Sequence, residues 1–229
     1  MDLARSRALF GNRYDAGRQL AASLNEYAGR STMVLAIPNG GVPMGVEIAR
    51  SLGADFELVI SRKIPMPLNP EAGFGAVADD GSVILNEEMV KKQGLTQQQI
   101  NEQVNKVRGD IRQRSLLYHR DMPLAVVGGK TVIFTDDGLA SGYTMIAAIE
   151  SVRHRNPREI VVAVPVASAS ALERVQKVAD KVVALATGTM SKFYVADFYR
   201  SWHDLSDAET LKCLDEWRLQ RIKAKYQTR

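Results

Sequence analysis

Residues 132–145 constrain the fold of this chain more than any other part of its sequence. Residues 132–135 form a short apolar run rich in β-branched side chains, and two adjacent carboxylates, Asp136 and Asp137, follow it directly. A loop of small residues comes next, and a helical pattern begins at about Tyr143. Short apolar runs of this kind are typical of strands that are buried on both faces of a parallel sheet. The segment therefore predicts a strand–loop–helix unit in an α/β fold.

The side chains of this segment suit a phosphorylated sugar. Two carboxylates at the carboxyl end of a strand can accept hydrogen bonds from the vicinal hydroxyls of a sugar. Gly138 and Gly142 allow backbone N–H groups to approach an anion closely. Ser141 and Thr144 add hydroxyl donors, and the N-terminus of the helix behind them favours negative charge. A diol site followed by a phosphate site describes a ribose 5-phosphate.

The segment resembles the phosphoribosyl-diphosphate (PRPP) signature of type I phosphoribosyltransferases, in which a strand, two acidic residues and a glycine-containing phosphate loop follow one another. The resemblance implies that Asp136 and Asp137 hold the ribose hydroxyls and take part in catalysis. It also implies that the following residues bind PRPP: Gly138, Ala140, Ser141, Gly142, Tyr143 and Thr144. The alternative is an ordinary strand-to-helix turn with an Asp-Gly break and a small-residue helix cap.

Two residues of this loop depart from the pattern of some relatives. Ala140 stands where some of them carry an aspartate, so a general base would come from elsewhere or not be needed. Tyr143 replaces a small or basic residue, and both packing against the sheet and contact with the ligand are compatible with it.

A second element of the resemblance is the sequence Pro-Asn-Gly-Gly at positions 38–41. In the family, the pyrophosphate loop follows the first core strand and ends in two glycines. The resemblance implies that Asn39, Gly40 and Gly41 bind pyrophosphate, although relatives commonly have arginine or lysine at the position of Asn39. The alternative is a tight turn between a strand and a helix.

The third element is the pair Arg62 and Lys63, which we expect at the end of the second strand. Relatives carry an Arg-Lys pair at the head of a mobile catalytic loop, so the resemblance implies a catalytic role. Adjacent side chains on a strand point to opposite faces, and we favour Lys63 slightly over Arg62 as the group that neutralises the departing diphosphate. The alternative is a solvated pair of cations at the end of a strand.

The likeness to one narrower group of phosphoribosyltransferase-like proteins of undefined substrate extends over most of the chain. Shared sequences include Asn-Pro-Glu at 69–71, Gly-Ala-Val at 75–77 and Val-Pro-Val-Ala at 164–167, together with Arg13 and the Ala-Gly pair at 16–17.

The rest of the sequence alternates between strand and helix patterns. Strands are predicted over residues 32–37, 57–61, 83–85, 159–166 and 181–186. Helices are predicted over residues 12–27, 96–118, 143–155, 168–179 and 207–229, with a further helix ending near Leu52. The helix over 96–118 has one narrow apolar stripe, so we expect it to lie over the core. Residues 64–80 are rich in proline and glycine and are predicted to form a long loop.

This alternation indicates a doubly wound, mostly parallel central sheet of the type I phosphoribosyltransferase kind, within a single α/β domain. Ligands in such sheets bind at the carboxyl ends of the strands. We expect a core over about 30–187, a small hood from about 1–30 and 188–206, a helical insertion, and a C-terminal helix over about 207–225. Packing or a dimer contact is the expected role of that last helix.

The composition is that of an ordinary globular protein: 45% of the 229 residues are hydrophobic and 24% are charged. No apolar run approaches the roughly 20 residues that span a bilayer, and a cytoplasmic location is expected. The net charge of +4 is too small to indicate nucleic acid by itself, and Arg108, Arg112, Arg114 and Arg120 are expected to form a solvated face. Cys213 is the only cysteine, which excludes an internal disulfide. The three histidines are scattered along the sequence, which argues against a zinc site.

The resemblance implies transfer of the 5-phosphoribosyl group from PRPP to a nitrogen acceptor, with nucleobases among the candidates and a place in nucleotide metabolism. Mg²⁺ is the expected cofactor, bound mainly through phosphate oxygens and water, and homodimers are common in the family. Aromatic residues of the hood either stack on a heterocycle or form the hood's own core: Phe193, Tyr194, Phe198, Tyr199 and Trp202. The alternative function is a non-catalytic regulator that senses PRPP or a nucleotide. A dinucleotide-binding fold is disfavoured, because no Gly-x-Gly-x-x-Gly follows the first strand.

Overall fold

A sheet of five parallel strands organises the computed structural model, which describes residues 8–119, 126–190 and 192–227. The strands in chain order are β1 (Thr32–Ala36), β2 (Asp55–Leu58), β3 (Ser61–Met66), β4 (Asn69–Ala78), β5 (Val83–Leu85), β6 (Thr131–Thr135), β7 (Glu159–Ser168) and β8 (Lys181–Gly188). The helices are α1 (Arg13–Ser23), α2 (Gly41–Leu52), α3 (Glu87–Lys92), α4 (Gln97–His119), α5 (Tyr143–Arg153), α6 (Ala169–Gln176) and α7 (Asp207–Gln227). The central sheet has the order β2-β1-β6-β7-β8, and the predicted doubly wound, mostly parallel fold is confirmed.

Side chains of the central strands alternate between two cores, one on each face of the sheet. Val34 and Ile133 point into a core shared with α1, α2, α4 and α7. Leu35 and Phe134 point into a second core, which α5 and α6 cover. Burial on both faces explains why β1 and β6 are apolar throughout their length.

The carboxyl ends of β1 and β6 lie level with each other. Ala36 is the register partner of Thr135, and the N–H of Ile37 donates to the Thr135 carbonyl oxygen at 3.0 Å. The loops that leave these two strands therefore start side by side at one edge of the sheet, which is the edge where ligands of such folds bind.

The prediction of a long loop over residues 64–80 is wrong. Most of this segment forms β3 and β4, which build an antiparallel three-stranded sheet with β5. Pro65 lies at a register shift, where a missing N–H does not break a regular ladder. A Cβ atom on Gly75 would be 2.3 Å from the Ile84 carbonyl oxygen, so glycine allows the backbones to pair closely. Proline and glycine here mark irregular strand pairing and not a loop.

The second strand also differs from the prediction of 57–61. The parallel strand β2 ends at Leu58, and β3 begins at Ser61 in the other sheet. Arg62 and Lys63 consequently lie inside an antiparallel strand and not at the carboxyl end of a central one.

The predicted helical insertion and the predicted C-terminal helix are present as α4 and α7. The stripe of α4 is buried through Ile100, Val104, Val107 and Ile111. In α7, Leu214 and Trp217 are buried, and the Trp217 ring meets that of Phe56 at 5.6 Å. The predicted helix over 12–27 is shorter, because α1 ends at Ser23 and residues 25–27 form a 3-10 turn.

Residues from both terminal regions meet beside the carboxyl edge of the sheet. Phe10 pairs with Tyr199, and its N–H donates to the Phe198 carbonyl oxygen at 3.0 Å. The division into core and hood stays a prediction, but this pairing joins two of its predicted hood segments. None of the helices in the described ranges combines the length and the apolar character that a bilayer crossing requires.

Candidate active site

The loop after β1 lies directly against the carboxylates that follow β6. A Cβ atom on Gly40 would be 2.0 Å from Asp137 Oδ2, and one on Gly41 would be 2.6 Å from the Thr135 carbonyl oxygen. Both distances are far below a carbon–oxygen contact, so only glycine fits at either position. The two glycines predicted to bind pyrophosphate thus bring their loop into contact with the predicted diol site.

Replacing Gly40 by alanine is expected to push these loops apart. The Gly40 backbone has φ −60° and ψ −35°, which alanine adopts freely, so the effect comes from the collision with Asp137. We expect a loss of roughly 1–3 kcal/mol in the free energy of unfolding, the usual cost of overpacking, measured by urea denaturation. Gly109→Ala in α4 is the control, because its Cβ would meet nothing within 4 Å and alanine favours a helix by up to about 1 kcal/mol. Wild-type stability of Gly40→Ala would contradict the close approach.

Asp136 and Asp137 are largely enclosed at the end of β6. Burial raises the pKa of Asp136 well above its usual range, and the neighbouring charge of Asp137 adds to this effect. Burial also raises the pKa of Asp137, although the guanidinium of Arg13 opposes it. The pair is therefore held as close charges that the fold compensates only in part.

Each carboxylate has one oxygen engaged within the protein and one that is free. Asp136 Oδ1 accepts from the Asp137 N–H at 2.8 Å, and Asp137 Oδ2 accepts from Arg13. In the described residues, no group donates to Asp136 Oδ2 or Asp137 Oδ1, and neither atom is among the fully buried ones. Two adjacent acceptors that reach solvent match the two hydroxyls of a vicinal diol.

Arg13 at the start of α1 forms an ion pair with Asp137. Its Nε and Nη2 atoms donate to Asp137 Oδ2 at 2.9 and 2.8 Å, and Nη1 donates to the His203 carbonyl oxygen at 2.9 Å. The guanidinium lies 3.8 Å from the centre of the Trp202 ring, and the residue is only 6% exposed. Arg13 thereby connects the predicted diol site to α1 and to the segment around Trp202.

Aromatic residues of the predicted hood pack around this arginine and its carboxylate partner. The Tyr199 hydroxyl donates to the Asp137 carbonyl oxygen at 2.7 Å, and its ring lies 5.0 Å from Trp202 and 5.5 Å from Phe10. Phe193 and Phe198 contact each other at 5.3 Å. These contacts favour the interpretation that most of the aromatic group forms the core of the hood.

The predicted phosphate loop leaves backbone donors free. Within the described ranges, the N–H groups of Gly138, Ala140, Ser141 and Gly142 donate no hydrogen bond. Gly142, with φ +82°, precedes the first turn of α5. Unpaired N–H groups at the N-terminus of a helix are favourable for an anion, so the local backbone suits the predicted 5′-phosphate.

Residues of β7 and α6 hold the predicted phosphate loop in place. The Ser168 hydroxyl donates to the Ala140 carbonyl oxygen at 2.7 Å. Arg174 Nη1 donates to the Ser141 carbonyl oxygen at 3.0 Å, and its guanidinium lies 5.4 Å from the Tyr143 ring. Tyr143 is half-buried and packs against a small alanine cluster, which supports its packing role. Arg174 places a positive charge next to the loop that would hold a phosphate.

The predicted pyrophosphate loop shows the same pattern of free amides. The peptide bond between Pro38 and Asn39 is cis. In the described part of the chain, the N–H groups of Asn39 and Gly40 donate no hydrogen bond, whereas that of Gly41 donates to the Ile37 carbonyl oxygen. Backbone donors are thus available here, beside the Asp137 carboxylate.

The Asn39 side chain itself is fully engaged within the protein. Its Nδ2 donates to the Leu205 carbonyl oxygen at 2.7 Å and to Asp207 Oδ1 at 3.0 Å. Its Oδ1 accepts from Arg114 Nη1 at 2.7 Å and from the Tyr118 hydroxyl at 2.9 Å. Asn39 therefore joins the predicted pyrophosphate loop to α4 and α7, and only its backbone is left for a ligand.

Arg62 and Lys63 point to different surroundings. Arg62 is half-buried; burial lowers its pKa, and the nearby charge of Arg114 adds to this. Lys63 is exposed, and its Nζ donates to the Glu71 carbonyl oxygen at 2.7 Å. Of the pair, Arg62 is the one whose pKa is influenced by charges on α4 and α7, among them Arg114 and Asp207.

Sequence reasoning missed the site contacts of Arg13, Arg114 and Arg174. Arg13 entered only through the pattern shared with relatives, and Arg174 had no signal. Arg114 was expected on a solvated face, but its side chain is 23% exposed and pairs with Asp207 at 3.1 Å. Of the other arginines expected on that face, Arg112 is exposed, Arg108 donates to the Gly81 carbonyl oxygen, and Arg120 lies outside the described residues.

A comparison with protein families matches the phosphoribosyl transferase domain to residues 10–196. Two relatives from Mycobacterium tuberculosis strains, both named "Putative phosphoribosyl transferase", are 35% identical over 207 residues. The match covers 90% of this chain and 46% of each relative, so the chain spans about half the length of the curated relatives that it matches.

A solved structure, TT1426 from Thermus thermophilus, has a TM-score of 0.74 and 35% sequence identity to the chain. That match covers 91% of this chain and 98% of the other. The similarity therefore extends over about nine tenths of this chain.

Proposed function

The chain belongs to the phosphoribosyl transferase family, and we propose that it moves the 5-phosphoribosyl group of PRPP to a nitrogen acceptor with release of pyrophosphate. One observation carries the proposal. Asp136 and Asp137 each have one oxygen that accepts no hydrogen bond from the described residues, and they lie beside two loops. In the described ranges, each loop has N–H groups that donate no hydrogen bond, those of Asn39 and Gly40 in one and those of Gly138 and Ala140 to Gly142 in the other. A diol acceptor flanked by two anion sites matches a ribose that bears a phosphate at one end and a diphosphate at the other.

In this proposal, Asp136 Oδ2 and Asp137 Oδ1 accept hydrogen bonds from the two ribose hydroxyls. The loop from Gly138 to Gly142 and the start of α5, with Tyr143 and Thr144, hold the 5′-phosphate. The backbone of Asn39, Gly40 and Gly41 faces the diphosphate. Arg62 or Lys63 neutralises charge on the leaving group.

The proposed reaction forms a bond between the acceptor nitrogen and C1 of the ribose, while the bond from C1 to the diphosphate oxygen breaks. The electron pair of that bond leaves with pyrophosphate, and the acceptor nitrogen loses a proton to solvent or to a base. Positive charge grows on the sugar next to the carboxylate pair. The protein then contributes by positioning and electrostatic stabilisation, without a covalent intermediate.

Mg²⁺ is the proposed cofactor. Among the described residues, no group of three or more histidine, cysteine, aspartate or glutamate side chains could hold a metal ion by itself. The free oxygens of Asp136 and Asp137 are the hard ligands that Mg²⁺ prefers, and this ion is often held by one or two carboxylates together with substrate phosphates. Bound there, it would neutralise diphosphate charge.

The alternative function is a regulator that senses PRPP or a nucleotide without turnover. The observation that favours it is the internal engagement of Asn39, whose side chain joins α4 and α7 to the pyrophosphate loop. A ligand on this loop could alter those contacts. We further propose, on the family resemblance, a homodimer that works in nucleotide metabolism in the cytoplasm.

Isothermal titration with PRPP, with and without Mg²⁺, tests the donor site. We expect Mg²⁺-dependent binding, followed by pyrophosphate release when nitrogen acceptors are screened. PRPP binding without pyrophosphate release for any nucleobase would favour the sensing function. No PRPP binding by the folded protein would overturn both the transferase function and the sensing of PRPP.

Asp137→Asn tests the diol assignment. The substitution removes a charge and one acceptor oxygen next to the ribose, so PRPP affinity or turnover is expected to fall about tenfold or more. The same titration and the pyrophosphate assay measure it, with far-UV circular dichroism as the check on folding. Full activity would show that the carboxylate does not hold the sugar.

A further inference from the structure

Two successive carbonyl groups of the predicted phosphate loop are held by side chains of the neighbouring β7–α6 unit. The Ser168 hydroxyl donates to the Ala140 carbonyl oxygen at 2.7 Å, and Arg174 Nη1 donates to the Ser141 carbonyl oxygen at 3.0 Å. Ser168 is the last residue of β7, and Arg174 extends from α6, which begins at the next residue. In the described ranges, no other hydrogen bond reaches these two carbonyl oxygens.

These contacts determine where the adjoining N–H groups point. In a planar trans peptide group, the carbonyl oxygen and the N–H of the next residue point in opposite directions, and neither peptide bond is cis. The N–H groups of Ser141 and Gly142 are therefore directed away from Ser168 and Arg174. Within the described ranges they donate no hydrogen bond, so they are available to an anion at the N-terminus of α5.

The two donors are themselves fixed by further contacts. The largely buried Ser168 hydroxyl also accepts from the Ala171 N–H at 3.1 Å, which caps α6. The Arg174 guanidinium lies 5.4 Å from the centre of the Tyr143 ring. Ser170 Oγ lies 3.3 Å from Ser168 Oγ and 3.5 Å from Arg174 Nη1. The donors therefore form one polar cluster beside the loop.

The backbone contacts of the loop do not replace this cluster. The Leu139 N–H donates to the Val166 carbonyl oxygen at 2.9 Å, and the Ser168 N–H donates to the Leu139 carbonyl oxygen at 2.8 Å. These bonds fix the loop as far as Leu139. The direction of the next two peptide groups depends on the side chains of Ser168 and Arg174.

We propose that Ser168 and Arg174 are positioning residues for the 5′-phosphate of PRPP. By holding two carbonyl groups of the loop, they keep the N–H groups of Ser141 and Gly142 directed at the phosphate oxygens. Donors that are oriented in the free protein bind an anion without the cost of ordering the loop. The inference rests on the proposed function, because it concerns the phosphate end of the same substrate.

Ser168→Ala is the decisive variant, because it removes a hydroxyl donor and changes no charge. It also removes the N-cap of α6, so the matched control is Asn86→Ala. Asn86 caps α3 in the same way and accepts from the Met89 N–H at 3.1 Å. Ser168→Thr keeps both the hydroxyl and the cap, so it should retain most of the affinity.

Arg174→Met tests the second donor. It keeps the aliphatic part of the side chain and removes the group that donates to the Ser141 carbonyl oxygen. Lys177→Met is the control for charge, since Lys177 follows α6 and its side chain is 69% exposed. Arg174→Lys keeps the charge and a donor without the fork, so it should recover part of the affinity.

Isothermal titration of the full chain uses three ligands: ribose 5-phosphate, PRPP with Mg²⁺, and pyrophosphate with Mg²⁺. Ser168→Ala is expected to bind the first two roughly three- to tenfold more weakly, the range of one hydrogen bond. Arg174→Met should lose about tenfold or more, because a positive charge is lost as well. Pyrophosphate affinity should be unchanged, since its proposed site is the loop after β1, and both controls should match wild type.

If wild type bound PRPP, and both variants bound ribose 5-phosphate and PRPP as tightly, the inference would be overturned and the proposed function would stand. A loss in Arg174→Met alone would assign the effect to charge and would also overturn the positioning role. Equal weakening of all three ligands would overturn it too, because it would indicate general damage. If wild type bound ribose 5-phosphate, with the expected losses in the variants, but neither PRPP nor pyrophosphate, the positioning role would stand and the proposed function would fail.

Discussion

Arg13→Met is expected to lower the free energy of unfolding by roughly 3 kcal/mol at pH 7.5, the usual cost of removing one partner from a buried ion pair. Methionine keeps much of the side-chain volume against Trp202 but leaves the two carboxylates at the end of β6 without their cation. Urea denaturation at several pH values measures the effect.

The loss in the free energy of unfolding that Arg13→Met causes should become smaller as the pH falls. Arg13 opposes the rise that burial causes in the pKa of Asp137, so its removal raises that pKa further. A folded-state pKa above the unfolded value means that the folded protein binds the proton more tightly, and stability then increases as the pH drops towards the unfolded value. The free energy of unfolding of Arg13→Met should therefore come closer to that of wild type in acid.

Arg18→Met is the matched control on the same helix. The Arg18 side chain is 59% exposed and lies 3.8 Å from Asp15, so we expect a change below about 0.5 kcal/mol. A loss in Arg13→Met that did not vary with pH would assign the effect to the Trp202 contact and the bond to His203, and not to the carboxylates.

The central fold was predictable because its signals are local. The strand, acidic pair and small-residue loop over 132–145 lie within one segment, and the chain folds this segment into β6, its loop and α5. The hairpin of β3 and β4 was not predictable in the same way. Pro65 and Gly75 are typical of loops, and only the pairing with neighbouring strands shows that they lie at a register shift and a close backbone contact.

The cations of the candidate site were not predictable from local patterns. Arg13 is 124 positions from Asp137 along the chain, and Arg114 is 75 positions from Asn39. Motifs at strand ends specify which backbone and carboxylate groups meet a ligand. These two counter-charges come from helices, Arg13 from α1 and Arg114 from α4. Arg13 entered only through a pattern shared with relatives and Arg114 had no signal of its own, so tertiary packing decides that they reach the site.

Asp136→Asn is expected to make the protein more stable and less able to bind PRPP. Burial and the Asp137 charge raise the pKa of Asp136 well above its usual range, so the ionised carboxylate costs stability at neutral pH. Asparagine removes that charge, and its Oδ1 can still accept the Asp137 N–H that Asp136 Oδ1 accepts at 2.8 Å. We expect a gain of about 1 kcal/mol, within the range of single stabilising substitutions.

The sign of this gain follows from linkage. The folded protein holds the Asp136 proton more tightly than the unfolded chain, so wild-type stability falls as the pH rises from the unfolded pKa through the raised folded one. The variant lacks this titration, and its advantage should be present at pH 7.5 and vanish in acid. Urea denaturation at pH 7.5 and in acid measures this difference in stability. Glu173→Gln is the control, because the Glu173 carboxylate is largely exposed.

The same variant should bind PRPP about tenfold or more weakly, because the atom in place of Asp136 Oδ2 becomes an N–H donor and the charge beside the ribose is halved. Opposite signs for stability and binding are the mark of a group kept for its ligand, since functional sites hold charges that the fold alone would reject. If Asp136→Asn lowered stability but retained PRPP affinity, the Asp136 carboxylate would stabilise the fold and would not bind the sugar.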